Sequence, residues 1–107
     1  MNGALLNSTQ LNGARLTGSN LAGADLSYAD LSNASLAFVD FRRAVLTGAN
    51  LRTSDLSQAD LRNTDLSYAD LSKATLTGTQ LTGARFDYTV WIDGVTCLPG
   101  SVGECKR

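Results

Sequence analysis

The chain has 107 residues, with ten acidic and nine basic side chains, no histidine, two cysteines and a formal net charge of −1. At that length it forms one domain, and a near-zero charge excludes the basic stripe expected of a nucleic-acid binder. No run approaches the roughly 20 apolar residues of a transmembrane helix, so no membrane insertion is expected.

The opening, Met1-Asn2-Gly3-Ala4-Leu5-Leu6, has neither a basic n-region nor an apolar h-region and reads as no secretory signal peptide. A five-residue period then takes over. Its centres run from Leu6, Leu11 and Leu16 to Leu81 and Phe86, seventeen positions in unbroken register, all Leu except Phe41 and Phe86. Two places before each centre stands Ala, Ser or Thr, with Val39 the single departure. On a helix, five residues advance about 140° beyond a full turn, so the leucines would spread around every side. On a continuous strand the odd step would put alternate leucines in water. The chain must turn once per repeat. With corners near 90°, four repeats close a square of twenty residues, and residue n lies under residue n+20, about 4.8 Å away. Positions i and i−2 then share the inward face, where Leu fills the middle and only a small residue fits beside it. The coil holding Val39 and Phe41 should be the fullest.

The pattern A-D/N-L-S/T-x, as in Ala24-Asp25-Leu26-Ser27-Tyr28 and Ala59-Asp60-Leu61-Arg62-Asn63, resembles the pentapeptide repeat family over residues 4–88. The resemblance implies an all-β fold, a right-handed parallel quadrilateral β-helix. A solenoid of about four coils is expected over residues 1–90, followed by a C-terminal capping segment over 91–107.

Gly3, Gly13, Gly18 and Gly23 mark the corner position of the first coil, two residues after each centre. Tyr28, Asn33, Phe38, Arg43 and others hold the same corner later, which suggests that it does not demand a positive φ throughout. Nothing precedes the first coil to cover it, so the chain is expected to be a monomer, or a homodimer through the uncapped N-terminal coil.

Residues 24–75 carry most of the charge. Asp40 and Asp60 should stack on adjacent coils, as should Arg42 and Arg62. The arginines compete with any cation, and no histidine serves as a proton shuttle. A flat carboxylate ladder does not converge on one point as a calcium site must. The expected result is a solvated, charge-balanced face. Tyr28, Gly48, Tyr68 and Tyr88 fall in one corner column, where Tyr68 and Tyr88 can stack. Exposed aromatics in line either mark an interaction surface or simply cover outer backbone. Tyr28, Tyr68, Tyr88, Arg42, Arg62, Asp40 and Asp60 are therefore the candidate interaction residues.

After Phe86 the period dissolves. Trp91, Ile92, Val95 and Leu98 read as a hydrophobic lid over the last coil, since solenoids need polar-faced ends for solubility. Cys97 and Cys105 enclose seven residues including Gly100 and Gly103. They read as a disulfide, with a free thiol pair or part of a metal site as alternatives, although two Cys without His are too few for structural zinc. A disulfide favours an oxidising compartment, the periplasm or a thylakoid lumen, with the cytoplasm as the alternative because no signal peptide is visible. The segment Trp91–Cys105 also resembles the cysteine-bearing ends of some bacterial, especially cyanobacterial, members of the family, several of which are thought to be periplasmic or lumenal.

No catalytic, cofactor-binding or metal-binding residues are identified, and no enzyme is expected. The expected function is a non-enzymatic structural or protein-interaction module whose protein partner is unspecified. The alternative is a cytosolic regulator resembling the gyrase-protecting branch of the family, whose rod-like dimers imitate DNA. Such imitation needs a long acidic rod, and here Asp40 and Asp60 are accompanied by Arg42, Arg43, Arg52 and Arg62.

Overall fold

The structure is a computed structural model and describes residues 2–106. Leu5 pairs with Asp25, Gln10 with Asp30, and so on to Asp70 with Val90, each bridge parallel and each spanning twenty residues. The chain therefore climbs one coil per four repeats, as the period requires. Each repeat contributes a single bridged residue per face, so the sides are ladders of one-residue contacts joined by turns.

The repeat is explained by where its backbone donors go, since a buried N–H without a partner is costly. In the unit 25–29 all five are satisfied. Asp25 N–H donates down the stack to Ala4 O at 2.9 Å. Leu26 and Tyr28 donate up the stack to Val45 O at 2.7 Å and Thr47 O at 2.9 Å. Ala29 N–H closes the turn on Leu26 O at 3.0 Å. The fifth, Ser27 N–H, is taken by Asp25 Oδ1 at 3.0 Å, which also accepts the Ser27 hydroxyl at 2.6 Å. The aspartate of the repeat is thus a turn-capping acceptor of the Asx kind. Asp30, Asp55, Asp65 and Asp70 repeat the arrangement on Ser32, Ser57, Ser67 and Ser72.

These bonds hold the carboxylates of Asp25, Asp30 and Asp55 below the ordinary aspartate value of 3.8, chiefly through the serine hydroxyl and then the serine N–H. A depressed folded-state pKa stabilises the fold above the unfolded value and loses that contribution as pH falls through the folded one. With no histidine in the chain, the thermal midpoint is expected to stay nearly flat from about pH 5 to 8 and to drop below about pH 4. A pH series of thermal melts checks this; a midpoint that rises on acidification contradicts it.

The corners differ from expectation. All eleven non-glycine corner residues, from Ser8 and Tyr28 to Lys73 and Tyr88, have φ between 57° and 63°, and the seven corner glycines lie between 67° and 74°. The corner does demand the left-handed conformation throughout. Its physical cause is the turn, whose third residue is left-handed as in a type II turn. That conformation also aims the corner N–H along the solenoid axis into the next coil. The strain, about 1–2 kcal/mol for a side-chain-bearing residue, is offset by that ladder bond.

The interior is packed as the small–large alternation predicts. Leu21 through Leu71, Phe41 and Phe86 are buried at the centres, with the alanines beside them. Val39 and Phe41 are both fully buried in the same coil. Three inward threonine hydroxyls, two buried and one half-buried, are satisfied by a recurring device. Thr64, Thr79 and Thr89 donate to the carbonyls of Phe41, Leu56 and Leu66, 23 residues back, at 2.6–2.8 Å. Leu6, Leu11 and Leu16 of the first coil are only half-buried.

Beyond Trp91 the chain turns back and runs antiparallel to the last coil, pairing Val90 with Thr96 and Arg85 with Val102. Phe86 N–H donates to Ser101 O, and Tyr88 N–H to Cys97 O. Three of the four lid residues differ from expectation. Trp91 packs edge-on against Phe86 with ring centroids 4.9 Å apart. Ile92, Val95 and Leu98 point to solvent, Leu98 with 51% of its surface exposed. The groups that bury themselves here are Cys97 and Ser101. A returning segment held by two isolated bridges presents few inward positions, and backbone pairing decides which residues occupy them. Cys97 and Cys105 are joined as a disulfide.

Candidate interaction surface

The twenty-residue register sets exposed side chains in vertical columns, and the corner side chains lean over the coil above. A Cβ placed on Gly48 would fall inside the Tyr28 ring, and one on Gly83 would meet Asn63 Oδ1. Tyr28 therefore lies across Gly48, while Tyr68 stacks on Tyr88 with centroids 5.1 Å apart and planes 19° from parallel. The three tyrosines do share a column, but only Tyr68 and Tyr88 touch as rings. Tyr28 and Tyr68 are 67% and 63% exposed. Phe38, two corners along and so diagonally opposite the tyrosine column, is 65% exposed. Sequence reasoning did not single out Phe38 for the surface. Its signal was a large apolar residue in a column that otherwise carries Gly18, Gln58 and Gly78.

On the neighbouring face, Asp40 and Asp60 are bridged across adjacent coils. Each carboxylate is gripped by the arginine two residues on. Arg42 Nε and Nη2 donate to Asp40 at 3.0 and 2.8 Å, and Arg62 Nε and Nη2 to Asp60 at 2.9 and 2.7 Å. Arg42 Nε also lies 3.7 Å from Asp60 Oδ2, tying the two coils together. The hydrogen bond from its own arginine is the main reason each aspartate stays below the ordinary carboxylate range, and both guanidinium values are raised by the same bonds. Bidentate geometry fixes both forks at low entropic cost, whereas the free energy of such exposed pairs is modest.

The arrangement offers exposed rings and arginine-paired carboxylates as recognition groups. The carboxylates of Asp40 and Asp60 are already occupied by arginine. Among the described residues, no group of three or more His, Cys, Asp or Glu side chains is placed to hold a metal ion, and no helix is long and apolar enough to cross a membrane.

The pentapeptide-repeat family profile matches the sequence in eight copies over residues 1–37, 24–63 and 54–89. The chain belongs to the pentapeptide repeat family. Among solved structures, this pentapeptide repeat chain is similar to HetL of the cyanobacterium Nostoc sp. strain PCC 7120, a protein involved in the regulation of heterocyst differentiation. The two share 31% identity over 89% of this chain and 52% of HetL, with a TM-score of 0.65. It is also similar to a pentapeptide repeat protein from the thylakoid lumen of Arabidopsis thaliana, at 27% identity over 82% of this chain and 68% of that one, with a TM-score of 0.56. The chain thus spans about half the length of HetL. No curated protein sequence matches it.

Proposed function

We propose that this chain is a non-enzymatic protein-interaction module that presents a rigid, columnar surface to a protein partner. The observation that carries the reading is the stacked Tyr68–Tyr88 pair, with Tyr68 and Tyr28 largely exposed on the same column. Tyrosine supplies large contact area with few rotatable bonds, which is why it concentrates at binding hot spots. Here the backbone beneath is held by ladder bonds on every coil, so little ordering remains for binding to impose. In this reading residues 1–90 are the solenoid that displays the surface, and residues 91–107 cap its C-terminal end through Trp91 and the Cys97–Cys105 bond. The disulfide favours an oxidising compartment such as the periplasm or a thylakoid lumen.

The test uses tagged wild-type chain and a Tyr68→Ser/Tyr88→Ser variant as parallel baits in the source cells. Both substitutions lie on exposed corners, so the variant should keep the wild-type melting profile to within about 1 kcal/mol of stability. A discrete protein retained by the wild type and lost by the variant supports the tyrosine column as the binding surface. Equal retention by both removes it from that role.

A further inference from the structure

Where the arginine column meets the glycine corners, the surface opens into a groove of about 390 Å³. It is lined by Arg42, Arg43 and Arg62, with Asn2 and Asn63 at its ends and the small residues Ala22 and Gly23 at its floor. We propose that this groove binds a single carboxylate, the Asp or Glu side chain of an acidic segment on a partner protein. The proposal rests on the protein-interaction reading above and names the chemistry of one contact.

Three observations carry it. First, the charges do not cancel. Asp40 and Asp60 neutralise two of the three guanidinium groups, and Arg43 has no acidic group within ion-pair distance among the described residues. One positive charge is left over. Second, the donors are arranged in advance. Arg42 and Arg62 each commit Nε and one Nη2 proton to an aspartate, which leaves three N–H groups per guanidinium for another acceptor. The carboxylates hold both planes fixed, so an incoming anion meets donors already in place. Third, the surroundings select a compact anion. The face that follows the groove carries Asp25 and Asp65, and the face before the arginine column carries Asp55. A polyanion running out of the groove would meet them, whereas one carboxylate would not. The preceding corner of the same coil carries the exposed ring of Phe38, apolar ground for a residue flanking the acid.

The test is an NMR titration of the full chain at low salt. The probes are a blocked Gly-Phe-Glu-Phe-Gly peptide, its Gln counterpart and inorganic phosphate. The Glu peptide should shift the amides of Ala22, Gly23, Arg42 and Arg43 and the arginine Nε signals saturably, at least about tenfold more tightly than the Gln peptide, as charge-assisted hydrogen bonds require. Binding should weaken as salt rises. Arg43→Gln should weaken it about fivefold with the rest of the spectrum unchanged. Ala22→Glu should abolish it by placing a carboxylate in the groove, at a position whose stacked counterparts already accommodate Arg42 and Arg62. Equal binding of the Glu and Gln peptides, shifts outside the groove, or no response to either peptide overturns the proposal. Phosphate binding more tightly than the Glu peptide also overturns it and reassigns the groove to phosphoryl groups. A groove that ignores the peptides, while the tyrosine-dependent partner is still retained, overturns this inference alone.

Discussion

Replacing Phe41 with alanine is expected to lower the free energy of unfolding by about 3–5 kcal/mol. The ring is fully buried beside Val39, the one β-branched residue at the small position that carries no hydroxyl. In register it stacks between Leu21 and Leu61. Its backbone is held on both sides, the N–H by Asp60 O at 2.8 Å and the carbonyl by the Thr64 hydroxyl at 2.6 Å. The coil therefore cannot collapse into the void, and an uncollapsed void is the expensive kind. Leu11→Ala, on the half-buried first coil, should cost clearly less. Urea unfolding of the two variants checks this, with the slope unchanged between them. Equal losses at the two sites would show that burial along the solenoid is more uniform than the structure has it.

The second large effect belongs to the disulfide. By the loop-entropy argument, a bond closing a loop of this length is worth about 2–3 kcal/mol. Cys97 is buried, and its backbone pairs in both directions with the last coil, accepting from Tyr88 N–H and donating to Thr89 O. The loss in Cys97→Ser/Cys105→Ser, or in reduced protein, should therefore be local first. Hydrogen exchange is expected to accelerate at Phe86 and Tyr88, whose N–H groups bond to this segment, before it does at Leu46 and Leu51. Uniform acceleration along the chain would instead mean that the C-terminal segment unfolds only with the whole. The same bond bears on location. Alkylation and mass spectrometry of acid-quenched cells should find Cys97 and Cys105 joined if the chain resides in an oxidising compartment, and free if it resides in the cytosol.

The fold was legible because the centres repeat without a slip, and an odd period admits only a chain that turns once per unit. The stacking of Tyr68 on Tyr88 and of Asp40 on Asp60 followed from the same arithmetic. The corner conformation was hidden by Tyr28, Arg43 and Lys73, whose side chains argue against a left-handed backbone when read singly. Read as a column the signal was present. Glycine fills seven of these corners, neither Val nor Ile occurs at any of them, and Thr53 is the lone β-branched residue. The aspartate of the repeat was read for its charge, although its position two residues before a backbone N–H gave it a turn-capping task. The exposure of Ile92, Val95 and Leu98 was not legible at all, because hydrophobicity cannot say which residues a short reversing strand turns inward. The arginine groove was equally hidden. The register already put Gly23 beneath Arg43, but the arginine pairing that leaves Arg43 without an acidic partner among the described residues was not readable from spacing.

The register of twenty has an evolutionary corollary. The interior reads the sequence modulo five, whereas the exterior reads it modulo twenty. Inserting or deleting one repeat would leave every leucine pointing inward but rotate all downstream surface residues by a quarter turn, uncoupling Tyr68 from Tyr28 and Arg62 from Arg42. Four repeats gained or lost together would preserve both. Such a molecule can therefore redraw its outer face by a frame change that its core does not register, and lengthen without redrawing it only in steps of a whole coil.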